Sequence, residues 1–346
     1  MKERYNKKMD EDRIGKEIVE DLKKIDFIGS NGPDDIKFLA KGNATLNYLI
    51  TASGKKYVVR VYTGEGSFSR ISKEAMTMNL AAEKDLAPKA LFLTEKTNVG
   101  YPIMIVKYVD GEDLVKKKSQ AENYFEKYIG LLGKIHTSFR FSWWGELNGL
   151  ENGTYFDKLN DSIRSVQTKF YPGEIHNEYL NGVIAKVMIE LGRIKELLMQ
   201  GSDFHLLHGD YLPGNVMVKK SGELVAIDWS VAEVGDPAYE CVHVAAHSWW
   251  RPREFINFLN VYRKYSPVDD GFIRRCEGYF RTLTLGPMLW SYQRSVMEKE
   301  GSEVVKRHPF YGTYFDGKGK IVTDTCSYRE LYEKRKKYID EIYAGI

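Results

Sequence analysis

Four polar residues in the middle of the chain stand at a spacing that suits phosphoryl transfer. His208, Asp210 and Asn215 form the pattern H-x-D-x-x-x-x-N, and Asp228 follows at the end of an apolar run. Carboxylate and amide oxygens are the ligands that Mg²⁺ prefers, usually shared with phosphate oxygens. A catalytic loop of this form, followed by a metal-binding Asp, is the arrangement used for phosphoryl transfer. The spacing therefore predicts Asp210 as the catalytic residue and Asn215 and Asp228 as magnesium ligands.

Short apolar strands on either side of the loop must position these side chains. The first strand ends just before His208, the second, 216–218, follows the loop, and an apolar run at 224–227 leads into Asp228. In this setting we expect His208 to support the loop by hydrogen bonding rather than to take part in the chemistry. The competing interpretation is a buried hairpin whose Asp and Asn side chains only cap turns. Four matched polar positions favour the catalytic loop over that hairpin.

The same stretch carries a family pattern. His208-Gly209-Asp210, Asn215 and Ile227-Asp228-Trp229 match H-G-D-x-x-x-x-N followed by I-D-W, and Gly235-Asp236-Pro237 comes next. In these motifs the chain resembles the aminoglycoside phosphotransferase/choline kinase family, the small-molecule branch of the protein-kinase-like fold. The resemblance implies ATP (or GTP) as the phosphoryl donor, Mg²⁺ as the cofactor and a small molecule with a hydroxyl group as the acceptor.

The fold implied by the resemblance is α+β and two-lobed. A small lobe, residues 1–109, would hold an antiparallel sheet with one helix, and a large, mainly helical lobe, residues 110–346, would carry the catalytic loop and the metal site. Apolar periodicity agrees with this division. It predicts a leading helix at 10–24, strands at 36–40, 46–51, 56–62, 89–94 and 103–108, and a helix at 69–85 between the third and fourth strands.

Two parts of the small lobe are candidates for contact with the nucleotide. Asn43, Ala44 and Thr45 form the turn between the first two strands, where backbone N–H groups can cradle phosphates. The turn follows a single glycine, so an ordinary hairpin turn is the alternative. By resemblance, the backbone carbonyl of Lys107 and the N–H of Val109 would contact the adenine edge.

A third candidate is the pair of Val58 and Arg60 on the third strand. Because side chains two residues apart share one face of a strand, an apolar contact for adenine and a cation for the phosphates lie side by side. Most kinases of this fold place Lys where this chain has Arg60. Glu74, on the following helix, is the expected ion-pair partner of Arg60. The alternatives are an Arg60 that faces solvent and a Glu74 that is an ordinary surface residue.

Helical periodicity dominates the second lobe. Helices are predicted over residues 124–138, 154–170, 177–200, 238–247, 252–264, 270–298 and 327–343. His136, in the first of these, is expected to be a buried hydrogen-bonding residue and not a catalyst. His243 and His247 lack the acidic third ligand of the H-E-x-x-H pattern, so we do not assign them a metal.

Composition sets limits on the class of protein. The 346 residues are 43% hydrophobic, 13% are aromatic, and the net charge of +3 is too small to indicate binding to a nucleic acid. Cys241, Cys276 and Cys326 show no CxxC spacing, which favours a reducing compartment over a disulfide framework or a zinc site. With no signal segment and no long apolar run, we expect a cytoplasmic protein that does not interact with membranes.

The predicted activity is ATP-dependent transfer of the γ-phosphoryl group to a hydroxyl of a small molecule. The chain leaves too few residues between Asp228 and the motif at 235–237 for the long activation segment of a protein kinase. A different alternative is a catalytically inactive nucleotide-binding or scaffold protein, but such proteins usually lose the base or a metal ligand. This chain keeps all three residues.

The acceptor class follows from weaker signals. Trp229-Ser230 looks more like the antibiotic-phosphorylating branch than the choline branch, where an aromatic residue followed by Glu is common. An antibiotic of the aminoglycoside or macrolide type or a sugar is therefore the expected acceptor, and choline or ethanolamine is the alternative. The aromatic residues of the second lobe favour core packing over a ligand cage. The C-terminal helix leans basic, which does not suit a polycationic acceptor.

Overall fold

The computed structural model describes residues 11–42, 44–64, 67–147, 154–170, 177–199, 203–302, 305 and 310–344. The chain separates into two compact units, Met1–Gly111 and Glu112–Ile346. The predicted boundary, between residues 109 and 110, lies close to this division. Unit 1 combines an antiparallel sheet with helices and unit 2 is mainly helical, which is the α+β class expected from the sequence.

Unit 1 contains the elements predicted from apolar periodicity. They are α1 (Glu11–Leu22), β1 (Asp35–Lys41), β2 (Thr45–Ala52), β3 (Lys55–Tyr62), α2 (Phe68–Ala82), β4 (Ala90–Thr94) and β5 (Ile103–Lys107). The five strands form one antiparallel sheet in the order β1-β2-β3-β5-β4. The observed bounds differ from the predicted ones by one to three residues at most ends.

The two faces of this sheet have different roles. Helix α1 buries Ile14, Ile18 and Leu22 against one face, where they join the alternate residues of β2 and β3 in a single hydrophobic core. Since strand side chains alternate between faces, burying Val59 on this side places Val58 and Arg60 on the other. The core therefore fixes which residues of β3 lie on the face opposite α1.

Unit 2 is built mainly from helices with short strands between them. Its elements are β6 (Gly111–Asp113, at the start of the unit), α3 (Glu122–Ser138), β7 (Arg140–Phe141), α4 (Tyr155–Phe170), α5 (Glu178–Met199), β8 (Phe204–Leu207), β9 (Val216–Lys219), β10 (Leu224–Ala226), β11 (Glu233–Gly235), α6 (Pro237–His247), α7 (Pro252–Tyr262), α8 (Asp270–Leu283), α9 (Leu285–Lys299), β12 (Phe310–Phe315), β13 (Ile321–Cys326) and α10 (Tyr328–Ala344). One hydrophobic core joins α5, α9 and α10.

Two small sheets hold the segment predicted to be the catalytic loop. Strand β8 pairs with β11 on one side and β7 on the other, while β9 and β10 form an antiparallel hairpin. The loop from 208 to 215 leaves β8 and enters β9, so both of its ends are anchored in sheet. Directly after β10, the backbone N–H of Ile227 donates to the carbonyl of Asn215 at 2.8 Å. This bond brings the residue before Asp228 to the end of the loop.

Two features of unit 2 differ from the sequence prediction. The single helix predicted over 270–298 is two helices, α8 and α9, that meet at Thr284. Pro287 has no N–H to donate to the carbonyl four residues earlier, so the hydrogen-bond ladder cannot continue across this point. The hairpin of β12 and β13 was not predicted, although its residues, Phe310-Tyr311-Gly312-Thr313-Tyr314-Phe315 in the first strand, favour strand structure.

Most aromatic residues of unit 2 pack in its interior. Trp144 and Trp250 are buried, as core packing predicts. Trp143, Trp249, Trp290 and Tyr292 are half-buried, so some of their ring surface remains accessible. Among the residues that the structure describes, no helix is both long and apolar enough to span a bilayer.

Candidate active site

A tight backbone turn opens the catalytic loop. Gly209 has a positive φ of 82°, and a Cβ atom at this position would lie 2.3 Å from the carbonyl oxygen of Val231. Only glycine satisfies both constraints. The turn directs the chain from the buried His208 to the half-buried Asp210 within two residues.

Asn215 orients the carboxylate of Asp210. Its amide nitrogen Nδ2 donates to Asp210 Oδ2 at 2.9 Å and to the Asp210 carbonyl at 2.8 Å. Because both bonds use the nitrogen, the amide oxygen Oδ1 is the atom that Asn215 can offer to a cation. The Asp and the Asn of the predicted motif are therefore in direct contact.

Asp228 has an unusual backbone conformation. Its φ of 64° lies in the left-handed region, which costs a non-glycine residue about 1–2 kcal/mol. Backbone strain of this kind is concentrated at functional sites, where the surrounding structure enforces it. The hydrogen bond from Ile227 to Asn215 holds the segment that carries Asp228 next to the loop.

The donor set suits a hard cation. Asn215 offers an amide oxygen and Asp228 a carboxylate, which are the oxygen ligands that Mg²⁺ takes in sites shared with phosphate. The described part of the chain contains no group of three or more His, Cys, Asp or Glu residues that could hold a metal ion by itself. The two residues alone do not complete a coordination shell, so the phosphates of a nucleotide would have to contribute to it.

His208 connects the two halves of the site. Its side chain is fully buried, and Nε2 lies 3.0 Å from the carbonyl oxygen of Ile227. On the other side of the ring, Nδ1 accepts a longer bond of 3.4 Å from the backbone N–H of Asp210. The ring packs 4.7 Å from the ring of Trp229. These contacts fit the predicted structural support of the loop.

Glu240 holds the loop by accepting two of its backbone N–H groups. This residue was not predicted from the sequence. Its Oε2 accepts the N–H of His208 at 3.0 Å, and its Oε1 accepts the N–H of Gly209 at 2.5 Å. His136 Nε2 lies 2.8 Å from the same carboxylate, and His136 Nδ1 lies 2.6 Å from the Tyr262 hydroxyl. An acidic residue within the otherwise apolar first turns of α6 was the available signal.

The carboxylate of Glu240 stays ionised despite its burial. Burial raises its pKa, but the hydrogen bond and charge of His136, together with His208, outweigh that effect, and the pKa ends below its usual value of 4.5. A buried carboxylate that accepts several N–H groups keeps its charge for this reason. His136 is therefore the buried hydrogen-bonding residue that the sequence predicted, with Glu240 as its partner.

Unit 1 contains the expected ion pair. Arg60 Nη1 binds Glu74 Oε1, and the two side chains are only 14% and 2% exposed. The Tyr62 hydroxyl donates to the other carboxylate oxygen of Glu74 at 3.0 Å. Val58, Arg60 and Tyr62 share one face of β3, so a buried carboxylate and a tyrosine fix the guanidinium beside an apolar side chain.

The turn before β2 is also held in place. Gly42 N–H donates to the Thr45 carbonyl at 2.8 Å, and Thr63 N–H donates to the Ala44 carbonyl at 2.9 Å. A Cβ atom on Gly64 would lie 2.6 Å from the Cβ of Ala44, so the segment after β3 passes closely under the turn. Asn43, the remaining candidate in this turn, lies outside the described residues.

Lys107, on β5, and Val109, just after it, lie near the end of the sheet that is opposite this turn. Lys107 pairs with Tyr57 in the register of β3 and β5, whereas Arg60 pairs with Met104. Three residues along a strand correspond to about 10 Å. Val109 follows β5 in the non-helical connection before the end of unit 1. The structure thus separates the adenine candidates from the phosphate candidates along the sheet.

Comparison with known families gives the identity of the fold. The model of the phosphotransferase enzyme family matches residues 35–271, well over half of the chain. The chain belongs to this family. It is a kinase, that is, a phosphotransferase with an alcohol group as acceptor. No curated protein sequence matches it significantly.

Solved structures share the protein-kinase-like fold. Aminoglycoside phosphotransferase APH(4)-Ia, as a thermostable mutant in a ternary complex with ADP and hygromycin B, has a TM-score of 0.63 at 17% identity over 94% of this chain and 98% of that one. Choline kinase LicA from Streptococcus pneumoniae has a TM-score of 0.58 at 19% identity, over 95% and 99%. A putative aminoglycoside phosphotransferase from Ralstonia eutropha JMP134 has a TM-score of 0.62 at 13% identity, over 95% and 97%. These identities establish the fold and leave the acceptor open.

In this phosphotransferase the G-D-P motif has a structural role. Asp236 caps α6 by accepting the N–H of Ala238 at 3.0 Å. The same carboxylate accepts from Arg275 at 2.7 Å and from the Tyr279 hydroxyl at 2.9 Å, which ties the start of α6 to α8. Because Glu240 lies one turn further along α6, this anchoring also fixes the carboxylate that holds the catalytic loop.

Glu240→Gln is expected to lower turnover by about 10- to 100-fold, because a displaced catalytic loop misplaces Asp210. It should also flatten the acid dependence of stability. A carboxylate with a lowered pKa in the folded state contributes stability above its unfolded pKa, and this contribution is lost as the pH falls through the folded pKa. Between about pH 5 and pH 3, the melting temperature of the wild type should therefore fall more steeply than that of the variant.

Glu112→Gln is the matched control. The pKa of Glu112 is also lowered, by its hydrogen bond to Lys117, but its side chain is exposed and binds Lys117 instead of the backbone of the loop. Its removal should leave turnover and the steep acid dependence of the wild type intact. Equal acid dependence in wild type and Glu240→Gln would show that folding does not lower the pKa of Glu240.

Proposed function

We propose that this phosphotransferase transfers the γ-phosphoryl group of ATP to a hydroxyl group of a small molecule, an antibiotic or a sugar. The observation that supports this proposal best is the contact between Asn215 and Asp210, with Asp228 held beside them by the Ile227 hydrogen bond. One carboxylate is oriented for a proton, and an amide oxygen and a second carboxylate are directed to a cation. This is the division of roles that phosphoryl transfer requires.

The chemical step follows from the orientation of Asp210. Asn215 occupies Oδ2, which leaves Oδ1 to accept the proton of the acceptor hydroxyl. The hydroxyl oxygen forms a bond to the γ-phosphorus, the bond from that phosphorus to the bridging oxygen breaks, and its electron pair leaves with ADP. Asp210 acts mainly by positioning the hydroxyl, because the transition state of phosphoryl transfer is loose and needs little base catalysis.

Asn215 and Asp228 would hold Mg²⁺ through Oδ1 and the carboxylate. When bound, the ion neutralises charge on the phosphate oxygens of the nucleotide. The left-handed backbone at Asp228 ends the extended segment that follows β10 at the residue that would bind the ion. His208 and Glu240 contribute by fixing the backbone on both sides of the two ligands.

Unit 1 is proposed to bind the nucleotide. Arg60, held by Glu74, would contact the phosphates in place of the more common Lys, and Val58 on the same face would contact adenine. The backbone N–H groups of the turn at Ala44 and Thr45 would contact phosphate, and the backbone of Lys107 and Val109 the adenine edge. The separation of about 10 Å between these groups along the sheet matches an extended nucleotide. ATP is the proposed donor, with GTP as the alternative.

A small acceptor is favoured over a protein. Only β11 lies between Asp228 and α6, which leaves no room for an activation segment. Choline or ethanolamine remains the alternative acceptor, and an inactive scaffold is the alternative of another class. The free cysteines Cys241, Cys276 and Cys326 agree with a reducing compartment, and the cytoplasm, which supplies ATP, is the proposed location.

Asp210→Asn is expected to lower kcat by at least about 10²-fold, the size of a general-base contribution, while the affinity for ATP changes little. The measurement is ADP release across a panel of sugars, aminoglycosides, macrolides and amino alcohols. Asp203→Asn is the matched control, because this carboxylate is exposed and forms an ion pair with Arg140, away from the loop residues 208–215. Wild-type turnover in a folded Asp210→Asn variant would remove Asp210 from the mechanism.

Asp228→Ala is expected to weaken binding of Mg-ATP much more than Asn215→Ala, because it removes a charged ligand instead of a neutral one. Asn215→Ala should instead lower kcat, since it also releases the Asp210 carboxylate. Calorimetry with Mg-ATP and with ATP plus EDTA separates the two effects. Unchanged affinity in Asp228→Ala would contradict its role as a ligand.

Arg60 and Glu74 are expected to be coupled in a double-mutant cycle. Removing Glu74 acts through Arg60, so the KM for ATP should show a coupling energy of about 0.5–3 kcal/mol between the two changes. Arg60→Lys should retain part of the activity, because the charge survives while the rigid fork is lost. The exposed pair of Glu20 and Lys23 on α1 is the control and should not affect the KM for ATP. Additive effects of the Arg60 and Glu74 substitutions would remove both from the nucleotide site.

A further inference from the structure

A buried arginine with no ion-pair partner in the described part of the chain lies in α10. The Arg335 side chain is only 7% exposed, and no carboxylate pairs with it among the described residues. Its guanidinium lies 4.7 Å from the ring centroid of Trp249. Its Nε is buried and has no hydrogen-bond partner. Arg335 therefore differs from Arg60, Arg275 and Arg281, which each bind a carboxylate.

This burial is costly for the folded protein. An ion removed from water without a counter-ion destabilises the fold, and a cation–π contact offsets that cost only in part. Burial lowers the pKa of Arg335 to about 10, and the other groups that act on it are Tyr338 and Cys326, neither of which is a carboxylate. Arg335 stays charged at neutral pH. A functional site accounts for the free-energy cost of burying Arg335, because a bound ligand can supply the missing anion.

A row of side chains on α6 connects this cation to the catalytic loop. Glu240, His243 and His247 follow one another at i, i+3 and i+7, so they lie on one face of the helix. Glu240 contacts the loop at one end, and the rings of His243 and His247 lie 4.4 Å apart. His243 Nδ1 is buried without a hydrogen-bond partner. The row is about 10 Å long, at 1.5 Å per residue.

The contacts of α6 and of the residues that follow it identify what lies at the two ends of the row. Burial lowers the pKa of both His243 and His247, so both rings are neutral at neutral pH. At one end, Glu240 binds the backbone N–H groups of His208 and Gly209, directly before Asp210. At the other end, Trp249 follows two residues after His247 and contacts the Arg335 guanidinium. The row thus extends from the catalytic loop to the segment whose Trp249 contacts the buried guanidinium. Both rings are half-buried, so they can contact a ligand as neutral hydrogen-bonding groups.

The surface cavity next to Trp249 has a matching charge. Its volume is about 260 Å³, and it is lined by Trp249, Arg251, Tyr314, Asp324, Lys334, Lys337, Tyr338 and Glu341. Both of its carboxylates are already paired, Asp324 with Lys334 and Glu341 with Arg251. Lys337 has no carboxylate partner among the described residues. The excess charge of this cavity is therefore positive.

We propose that the acceptor of this phosphotransferase carries an oxyanion, a carboxylate or a phosphate, which binds Arg335 while a hydroxyl group at the other end of the molecule meets Asp210. This inference rests on the proposed function and narrows its acceptor class. A guanidinium matches the two oxygens of such a group with paired donors. The hydroxylated body of the acceptor lies along His243 and His247, and Trp249 covers the guanidinium.

The same geometry disfavours the other acceptor classes. An aminoglycoside or a quaternary ammonium compound would bring positive charge to a region whose unpaired charge is already positive. Stacking a cation on Trp249 would also require it to replace Arg335, which already lies against that ring. A sugar acid or a sugar phosphate satisfies both the buried guanidinium and the hydroxyl requirement of Asp210.

Four matched hexoses test the proposal: glucose, glucosamine, glucuronate and glucose 6-phosphate. ADP release and thermal shift are measured for each with the wild type, Arg335→Met and Arg335→Lys. We expect turnover and a thermal shift with glucuronate or glucose 6-phosphate, and the preferred one identifies the oxyanion. Arg335→Met should raise the KM or Kd for that compound about 10- to 100-fold, the effect of losing a charge-assisted hydrogen bond, without changing the KM for ATP. Arg335→Lys should restore part of the affinity.

Arg329→Met is the matched control, since Arg329 is an exposed arginine on the same helix. The melting temperature without ligand gives an independent readout. Arg335→Met should keep or raise it, because the variant removes a buried unpaired charge and retains similar volume. A lower melting temperature, with no change in the binding of either oxyanion compound, would overturn the proposal by showing a structural role.

The outcomes separate this inference from the proposed function. Turnover of glucosamine, aminoglycosides or choline that does not depend on Arg335 would overturn the inference and leave the phosphotransferase function intact. The absence of transfer to every hydroxyl compound would count against the proposed function, and the thermal shifts with glucuronate and glucose 6-phosphate would still test Arg335. The absence of any Arg335-dependent shift with either compound overturns the inference.

Discussion

The active site of this kinase depends on one buried carboxylate. Glu240 accepts backbone N–H groups from two successive residues of the catalytic loop and is itself held by His136. An ionised group away from water is stable only when such bonds satisfy it, so the loop and the carboxylate require one another. Asp236 fixes the start of the same helix through Arg275 and Tyr279, which extends the constraint to α8. The position of Asp210 thus depends on the hydrogen bonds that Glu240 and His136 form with one another and with the two loop residues before it.

The two buried charges Glu240 and Arg335 have opposite environments. Glu240 has several donors that outweigh the effect of its burial, whereas Arg335 has an aromatic ring but, in the described part of the chain, no anion. The first charge serves the fold and the second, in our proposal, serves the acceptor. His243 and His247 lie between them as neutral rings. The face of α6 therefore changes along its length from a structural role to a binding role.

Local features of the site were predictable from sequence, and distant ones were not. The contact between Asp210 and Asn215 lies within one loop, so motif spacing alone was sufficient. The pair of Arg60 and Glu74 followed from strand alternation and the next helix. Glu240 lies 32 residues from His208, and no local pattern links them. The burial of Arg335 depends on Trp249, in a distant segment, so its sequence context within a basic helix indicated only a solvated surface.

The left-handed backbone at Asp228 has a consequence for how this chain can diverge. At this position any side chain destabilises the folded state, and glycine adopts the conformation at the lowest energy. Selection for stability and selection for catalysis therefore act in opposite directions on one codon. A duplicated copy released from catalysis has an energetically favourable route to an inactive nucleotide-binding protein, whereas the reverse route requires a new function to compensate for the strain.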